Sequence, residues 1–292
     1  MRWPLLLSIA VAALGGGCGS GGAPAAPAAA GAAPPAWLAR GTLGPAEVSA
    51  ALGAPHAELW RRLGPHRFEA KTKVRVSVPG QPADELEDEY LLEAGAGGRF
   101  HARHQNSRDQ GFEHYVLDRD LYVRPRYGRF VRRRADEGEA DRVRENAFGA
   151  VGALGDLVGR FAAGRSEGPV TAGGRPAVRV RLALAPTPRP LAAAPEGARA
   201  WRATVAVQAL AGTLDLDAAS GLPLAANVTA TFTFRQGDRE VTAQLEHASA
   251  VATGVDLPLA APDHLTEPAR RRYHVEQQQL LEGLIPPGAG SR

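Results

Sequence analysis

The chain predicts an α+β fold: a curved antiparallel sheet, in effect an incomplete β-barrel, with helices covering its concave face. Three observations carry that expectation. Segments in which apolar and polar residues alternate recur from Phe68 to Val251, and period-two alternation marks strands with one wet face and one buried face. These segments follow one another through short turns, the order of an antiparallel meander rather than of βαβ units. One long helical stretch, Asp141 to Ala163, interrupts them at the middle.

Composition sets outer limits. At 292 residues, with 44% hydrophobic and 22% charged residues, the chain is long enough for an ample core and ordinary for a globular protein. The net charge is +3, and only Lys71 and Lys73 are lysines, so 32 of the 34 basic residues are arginine. Along the sequence these arginines are interleaved with 31 acids. A phosphate-binding stripe needs cations gathered on one face, so the expectation is no nucleic-acid partner. Cys18 is the single cysteine, which excludes an intramolecular disulfide.

The amino end reads as an export signal. Arg2 precedes an apolar run from Leu5 to Leu14, then Gly15, Gly16 and Gly17 before Cys18. A basic start, a run of about ten apolar residues and small residues at the cut form a secretory signal; spanning a bilayer takes about twenty. With the cysteine directly after the small residues, residues 1–17 resemble a bacterial lipoprotein signal peptide. The resemblance implies cleavage before Cys18 and acylation of its thiol, making Cys18 the lipid attachment site and membrane anchor. Gly15 stands where that family usually has leucine. Residues 18–40 are mostly Gly, Ala, Pro and Ser through Pro35, too poor in apolar surface to fold, and are expected to be a flexible tether. Gly19 rather than aspartate follows the cysteine, which within this resemblance implies the outer membrane, facing the periplasm.

A folded domain is expected over 41–265, followed by a helical tail over 266–292. Trp37 to Leu63 has helical spacing, with Gly53 and Pro55 dividing it into two short helices. Phe68–Val78 alternates over eleven residues, and the next strand places Leu86, Tyr90 and Leu92 opposite Glu85, Glu87, Glu89 and Glu93. As a hairpin, the two set a basic face beside an acidic one, which pins the register; Asp88 falls among the inward positions as an exception. Shorter strands follow at 99–105, 112–117, 121–124 and 129–132. In the helix at 141–163, Val151 and Leu154 belong to an apolar stripe. Strands resume at 177–184, 201–210, 213–217, 224–235 and 240–251, with an exposed proline-rich loop at 186–195 and the sheet ending at 254–259. Gly212 to Arg235 is the clearest pair: Leu214 and Leu216 alternate with Thr213, Asp215 and Asp217, then Val228, Phe232 and Phe234 alternate with threonines.

Candidate chemistry is sparse. Gly164-Arg165-Ser166-Glu167-Gly168 matches G-x-S-x-G, but a nucleophile elbow needs a strand before the serine and a helix after it. The order here is helix first, so the segment is expected to be a helix-ending loop. His101 and His104 lie three apart on a strand and point to opposite faces, so with His114 and Glu113 they are not expected to share a metal ion. Asp215 and Asp217 share a face and are expected to be solvated. No catalytic residue, metal site or cofactor is expected.

The layout of an amino-terminal helix, a meander containing Leu121-Tyr122-Val123 and Tyr127-Gly128-Arg129-Phe130, a central helix and further strands is distinctive. With Gly212-Thr213-Leu214-Asp215-Leu216-Asp217 and Ser220-Gly221-Leu222-Pro223-Leu224, it resembles the LolA/LppX-like superfamily of periplasmic lipoprotein carriers and lipid-binding lipoproteins, over about residues 45 to 262. The resemblance implies a half-barrel with an apolar cavity for acyl chains, and a non-enzymatic envelope lipoprotein that binds or shuttles a lipid or acylated partner. Leu214, Leu216, Val228, Phe232 and Phe234, with Val151 and Leu154 from the helix, are the candidate cavity lining. The same residues also suit plain core packing, and a tethered scaffold with a protein partner and no lipid cargo is the alternative function.

Overall fold

The computed structural model describes residues 35–191 and 201–266. The expected signal segment, Cys18, nearly all of the tether, residues 192–195 of the proline-rich loop and the tail helix lie outside the described residues.

Three helices open the fold: α1 (Ala36–Arg40), α2 (Pro45–Leu52) and α3 (His56–Leu63), with a two-residue strand, β1 (Thr42–Leu43), between the first two. Two helices were expected here. The extra break arises at Gly41, which takes the left-handed conformation at the end of α1 (φ 68°). Pro45 then starts α2, where its missing N–H costs nothing, and the Gly44 N–H donates to Glu47 Oε2 at 2.9 Å.

The first meander comprises β2 (His66–Ser77), β3 (Asp84–Ala94), β4 (Phe100–Asn106), β5 (Gly111–Leu117), β6 (Asp120–Pro125) and β7 (Phe130–Arg134). Helix α4 (Glu139–Leu157) and a short 3-10 turn (Gly159–Phe161) lead into the second: β8 (Ala162–Ala172), β9 (Arg175–Leu184), β10 (Ala206–Asp217), β11 (Pro223–Gln236) and β12 (Arg239–Thr253). Strand β13 (Leu265–Thr266) closes the described chain. The two meanders are joined by antiparallel pairing of β12 with β2, giving one sheet in the order β1-β8-β9-β10-β11-β12-β2-β3-β4-β5-β6-β7-β13. Every pairing is antiparallel except β13 on β7, and the two ends do not meet. The sheet is large and open, with a few helices, as the alternation predicts.

Four expectations about the second half are corrected. The central helix stops at Leu157, and 162–172 is strand, because Ala162, Gly164 and Ser166 pair with β9 and Gly164 also pairs with Leu43 of β1. Residues 206–217 form one strand, not two. Gly212 bridges the supposed break, since a Cβ there would lie 2.1 Å from the Asn227 carbonyl oxygen. Trp201 to Thr204 is a helical turn rather than strand, with the Thr204 N–H donating to the Trp201 carbonyl. Residues 255–262 form no strand; Leu259 instead packs on Gly95 at the end of β3.

The β2–β3 register is the expected one. Lys71 pairs across from Glu89 and Lys73 from Glu87, and the side chains bridge diagonally, Lys71 to Glu87 at 2.7 Å and Lys73 to Glu85 at 3.0 Å. On the other face Phe68, Leu92, Phe100 and Ala102 are buried under α4. Phe148 of α4 lies 4.7 Å from Phe68, centroid to centroid. Gly155 lets α4 cross α2 closely: an added Cβ would sit 3.1 Å from Leu52 Cβ. Glu145 ties α4 to α3 by accepting the His56 and Ala57 N–H groups at 3.0 and 3.1 Å, which satisfies donors that a helix start leaves open.

Candidate ligand-binding face

The helix-facing side of β8–β12 is assembled by register. Leu214 lies between Val180 of β9 and Ala226 of β11, Gly212 opposite Val228, and Leu210 opposite Ala230. Phe232 and Phe234 continue the row toward Ala243 and Val241 of β12. All seven candidate lining residues, Leu214, Leu216, Val228, Phe232, Phe234, Val151 and Leu154, belong to one core cluster. Leu214 and Leu216 have 0% exposure. A side chain with no accessible surface has no water-sized gap beside it, so in this conformation the face is packed rather than hollow.

A polar row crosses the same side at β12, β2, β3 and β4. His247 is opposite Thr72, Thr72 opposite Asp88, and Asp88 opposite Asn106. Thr72 Oγ1 and His247 Nδ1 are 2.9 Å apart; His104 Nε2 is 2.8 Å from Asp88 and its ring stacks on Tyr90 at 4.5 Å. Asp88, the inward exception, therefore has a partner. Burial pushes the Tyr90 hydroxyl well above its usual range, with Asp88 adding to it. Burial also pushes His247 down to about 4. Two further histidines sit in the core beneath α3 and α4. His56 is pushed down to about 3 by burial, then by His66 and Arg144, and His66 is lowered by burial. Among the described residues their Nε2 atoms, like that of His247, have no hydrogen-bond partner, which suits neutral rings. Sequence reading passed over these three because an isolated histidine carries no spacing signal.

His101 and His104 do point to opposite faces. His101 lies between Glu93 and Glu113, with ring nitrogens 2.8 Å from each carboxylate. Burial alone would raise Glu113, but hydrogen bonds from His101 and Arg124 outweigh it and hold the carboxyl at about 2. Among the described residues no group of three metal-ligating side chains converges. The G-x-S-x-G segment is not a helix-ending loop. It lies inside β8, with a bulge between Ser166 and Gly168, so the strand–turn–helix geometry of a nucleophile elbow is not formed there.

Asp215 and Asp217 share the face away from the helices, as expected, but they are not solvated. Asp215 is gripped by Arg179 through two hydrogen bonds of 2.8 Å. Asp217, 1% exposed, takes one from Arg175 at 2.8 Å and one from the Ala219 N–H at 2.9 Å. The arginines β9 places across the strand pair make burial tolerable. Asp217→Ala should cost about 2 kcal/mol in urea denaturation, because it unpairs Arg175 and loosens the β10–β11 turn together. Asp217→Asn, which keeps the turn acceptor, should cost clearly less.

The open clefts lie on this second face, a placement the alternation did not indicate. One, of about 520 Å³, has Thr213, Ala225, Asn227 and Ala250 along its floor and Arg179 and Lys71 among its walls. Another, of about 660 Å³, continues past Ala211, Thr229 and Glu246. The sequence signal was the row of small residues at the wet positions of β10–β12, which leaves a trough between taller charged neighbours.

No family model matches this chain, and no curated protein matches it in sequence. Among solved structures it is similar to a DUF1329 family protein from Desulfovibrio piger, at 9% identity, 74% of this chain, 95% of that one and a TM-score of 0.22. It is similar to a LolA superfamily protein from Nitrosomonas europaea at 10% identity, 73% and 92% coverage and a TM-score of 0.22. It is also similar to the Pseudomonas aeruginosa MucA/MucB complex at 16% identity, 74% and 56% coverage and a TM-score of 0.19. At these TM-scores the likenesses add no weight to the fold, which rests on the strand register described above.

Proposed function

We propose that this chain is a non-enzymatic envelope lipoprotein, anchored through acylated Cys18 in the outer membrane and facing the periplasm. Its cargo would be a lipid or an acylated partner, bound between the helix layer and the apolar side of the sheet. The observation behind this reading is the extent of that side: Leu214, Val228, Phe232, Leu245, Val74 and Phe68 belong to one core cluster across β10–β12 and β2, crossed by the Thr72–His247 pair, with short helices and the glycine-bearing α4 as its cover. Displacing a cover of that kind exposes a wide apolar surface to an acyl chain. A second reading, a tethered scaffold without cargo, is favoured by the complete burial of Leu214 and Leu216.

The experiment has two arms. Full-length protein extracted from membranes is analysed by mass spectrometry for co-purifying lipid; stoichiometric lipid supports the carrier reading, and its absence leaves the scaffold. In the second arm, Cys18→Ser should move the protein from the membrane to the soluble fraction. Unchanged fractionation would end the anchor assignment.

A further inference from the structure

The arginines are not evenly interleaved with acids once the chain is folded. From Arg99 to Arg134 there are ten arginines and four acids, Asp109, Glu113, Asp118 and Asp120. This stretch therefore carries +6, against +3 for the whole chain. It comprises four consecutive neighbours in the sheet, β4 to β7. Six of its arginines have carboxylate partners, Arg99 with Asp118, Arg108 with Asp84, Arg124 with Glu113, Arg126 with Asp109, Arg132 with Asp120 and Arg133 with Glu139. Among the described residues Arg103, Arg119, Arg129 and Arg134 have none, and all four are exposed.

Register gathers the charge. Arg103 is opposite Glu113 and Glu113 opposite Arg124; Tyr122 is opposite Arg132 and Asp120 opposite Arg134. Arg103, Arg124, Arg132 and Arg134 thus share the face turned away from α4. Beside them, a cleft of about 280 Å³ is bordered by Arg103, Arg124, Arg126, Glu113 and Tyr127. At the β6–β7 hairpin tip Tyr127 stands 79% exposed; Phe112 at the β4–β5 tip is opposite His104 and belongs to the other side of the sheet. Tyr127 holds a φ of 65°, uncommon for an aromatic residue. Its ring is kept outward by a 3.0 Å hydrogen bond from its hydroxyl to Asp109 and by the Arg126 guanidinium 5.0 Å from the ring centre.

We propose that the β4–β7 face rests on an anionic phospholipid bilayer surface. Guanidinium groups pair with headgroup phosphates in a forked geometry, and the exposed Tyr127 ring at the rim suits the boundary between headgroups and acyl chains. The inference rests on the envelope-lipoprotein reading for its choice of polyanion. The length of chain beyond the described residues permits it: the 18 residues from Cys18 to Pro35 reach about 60 Å when extended. The eleven strand-to-strand steps from β1 to β7 measure about 53 Å along the sheet. An acylated Cys18 can therefore stay inserted while the far edge lies on the same bilayer.

The test uses the full chain carrying Cys18→Ser, so the anchor cannot contribute, with vesicles of phosphatidylcholine alone or with added phosphatidylglycerol. Binding should rise with the phosphatidylglycerol fraction and fall with salt. Hydrogen exchange should slow at the β4–β5 and β6–β7 hairpins in the anionic vesicles. Each of Arg103→Gln and Arg134→Gln, exposed substitutions on that face, should weaken that binding about five-fold. Binding independent of phosphatidylglycerol, or binding without protection of these hairpins, overturns the proposal. So does tighter binding to duplex DNA than to anionic vesicles. None of these outcomes depends on whether lipid co-purifies or whether Cys18 is acylated, so the two readings fail separately.

Discussion

Lowering the pH from 7.5 to 5 should remove about 4 kcal/mol of folding stability, measured by urea denaturation. His56 and His247 are neutral in the fold, pushed down to about 3 and about 4, and titrate near 6.5 when the chain unfolds. The unfolded chain therefore takes up protons first as pH falls. Stability is complete above about 6.5 and is lost progressively down to the folded values. At pH 5 each ring contributes about 2 kcal/mol of that loss, and His66, also lowered, adds in the same direction. Glu113, held at about 2, acts in a lower window, below about 4.5. The double variant His56→Leu with His247→Leu should flatten the curve between pH 6.5 and 5 while leaving the acid limb below 4.5. A wild-type protein equally stable at pH 7.5 and 5 would mean these rings are not neutral in the core.

Gly212→Ala should destabilise the domain by about 3 kcal/mol, the upper range for forcing atoms into a packed region. The added Cβ would lie 2.1 Å from the Asn227 carbonyl oxygen and 2.9 Å from Val228 Cα, and both are backbone atoms of the paired strand. Neither can turn aside as a side chain would, so β10 and β11 must part where their ladder is longest. Gly152→Ala in α4 makes the control, because nothing lies within 4 Å of its Cβ position; it should stabilise by a few tenths to 1 kcal/mol through helix propensity. A thermal melt of the two variants side by side decides between them. Equal midpoints would remove the close β10–β11 approach from the account.

Most strands were legible because their pattern is local. The eleven alternating residues at 68–78 define β2 whatever packs on them, and the opposed charges of β3 define its partner. What failed were features decided by a distant neighbour. Gly212 reads as a break in isolation and becomes a continuation only when β11 lies against it. Asp215 and Asp217 read as wet because nothing local announces Arg179 and Arg175, 36 and 42 residues earlier. The candidate lining residues of β10 and β11 lie on one side of the sheet and belong to its core cluster. Whether that side is hollow or filled depends on how closely α4 approaches, which Gly155 governs from outside the strands. The arginine-rich face is hidden by the whole-chain balance of +3: its +6 is confined to residues 99–134, and which of those arginines share a face is set by the strand register.

The bulge in β8 bears on how the open sheet behaves at high concentration. Among the described residues β1 covers β8 only at Gly164 and Arg165, and β13 covers β7 only at Phe130 and Val131, so both margins offer backbone to a passing strand. On β8 the stretch beyond β1 contains Gly168 at a φ of 116°, followed by Pro169, which has no N–H to give. On β7 the uncovered residues are Arg132, Arg133 and Arg134. A bent, donor-poor margin and a cationic one both discourage edge-to-edge stacking of copies. The G-x-S-x-G segment thus stands where chain association would otherwise begin.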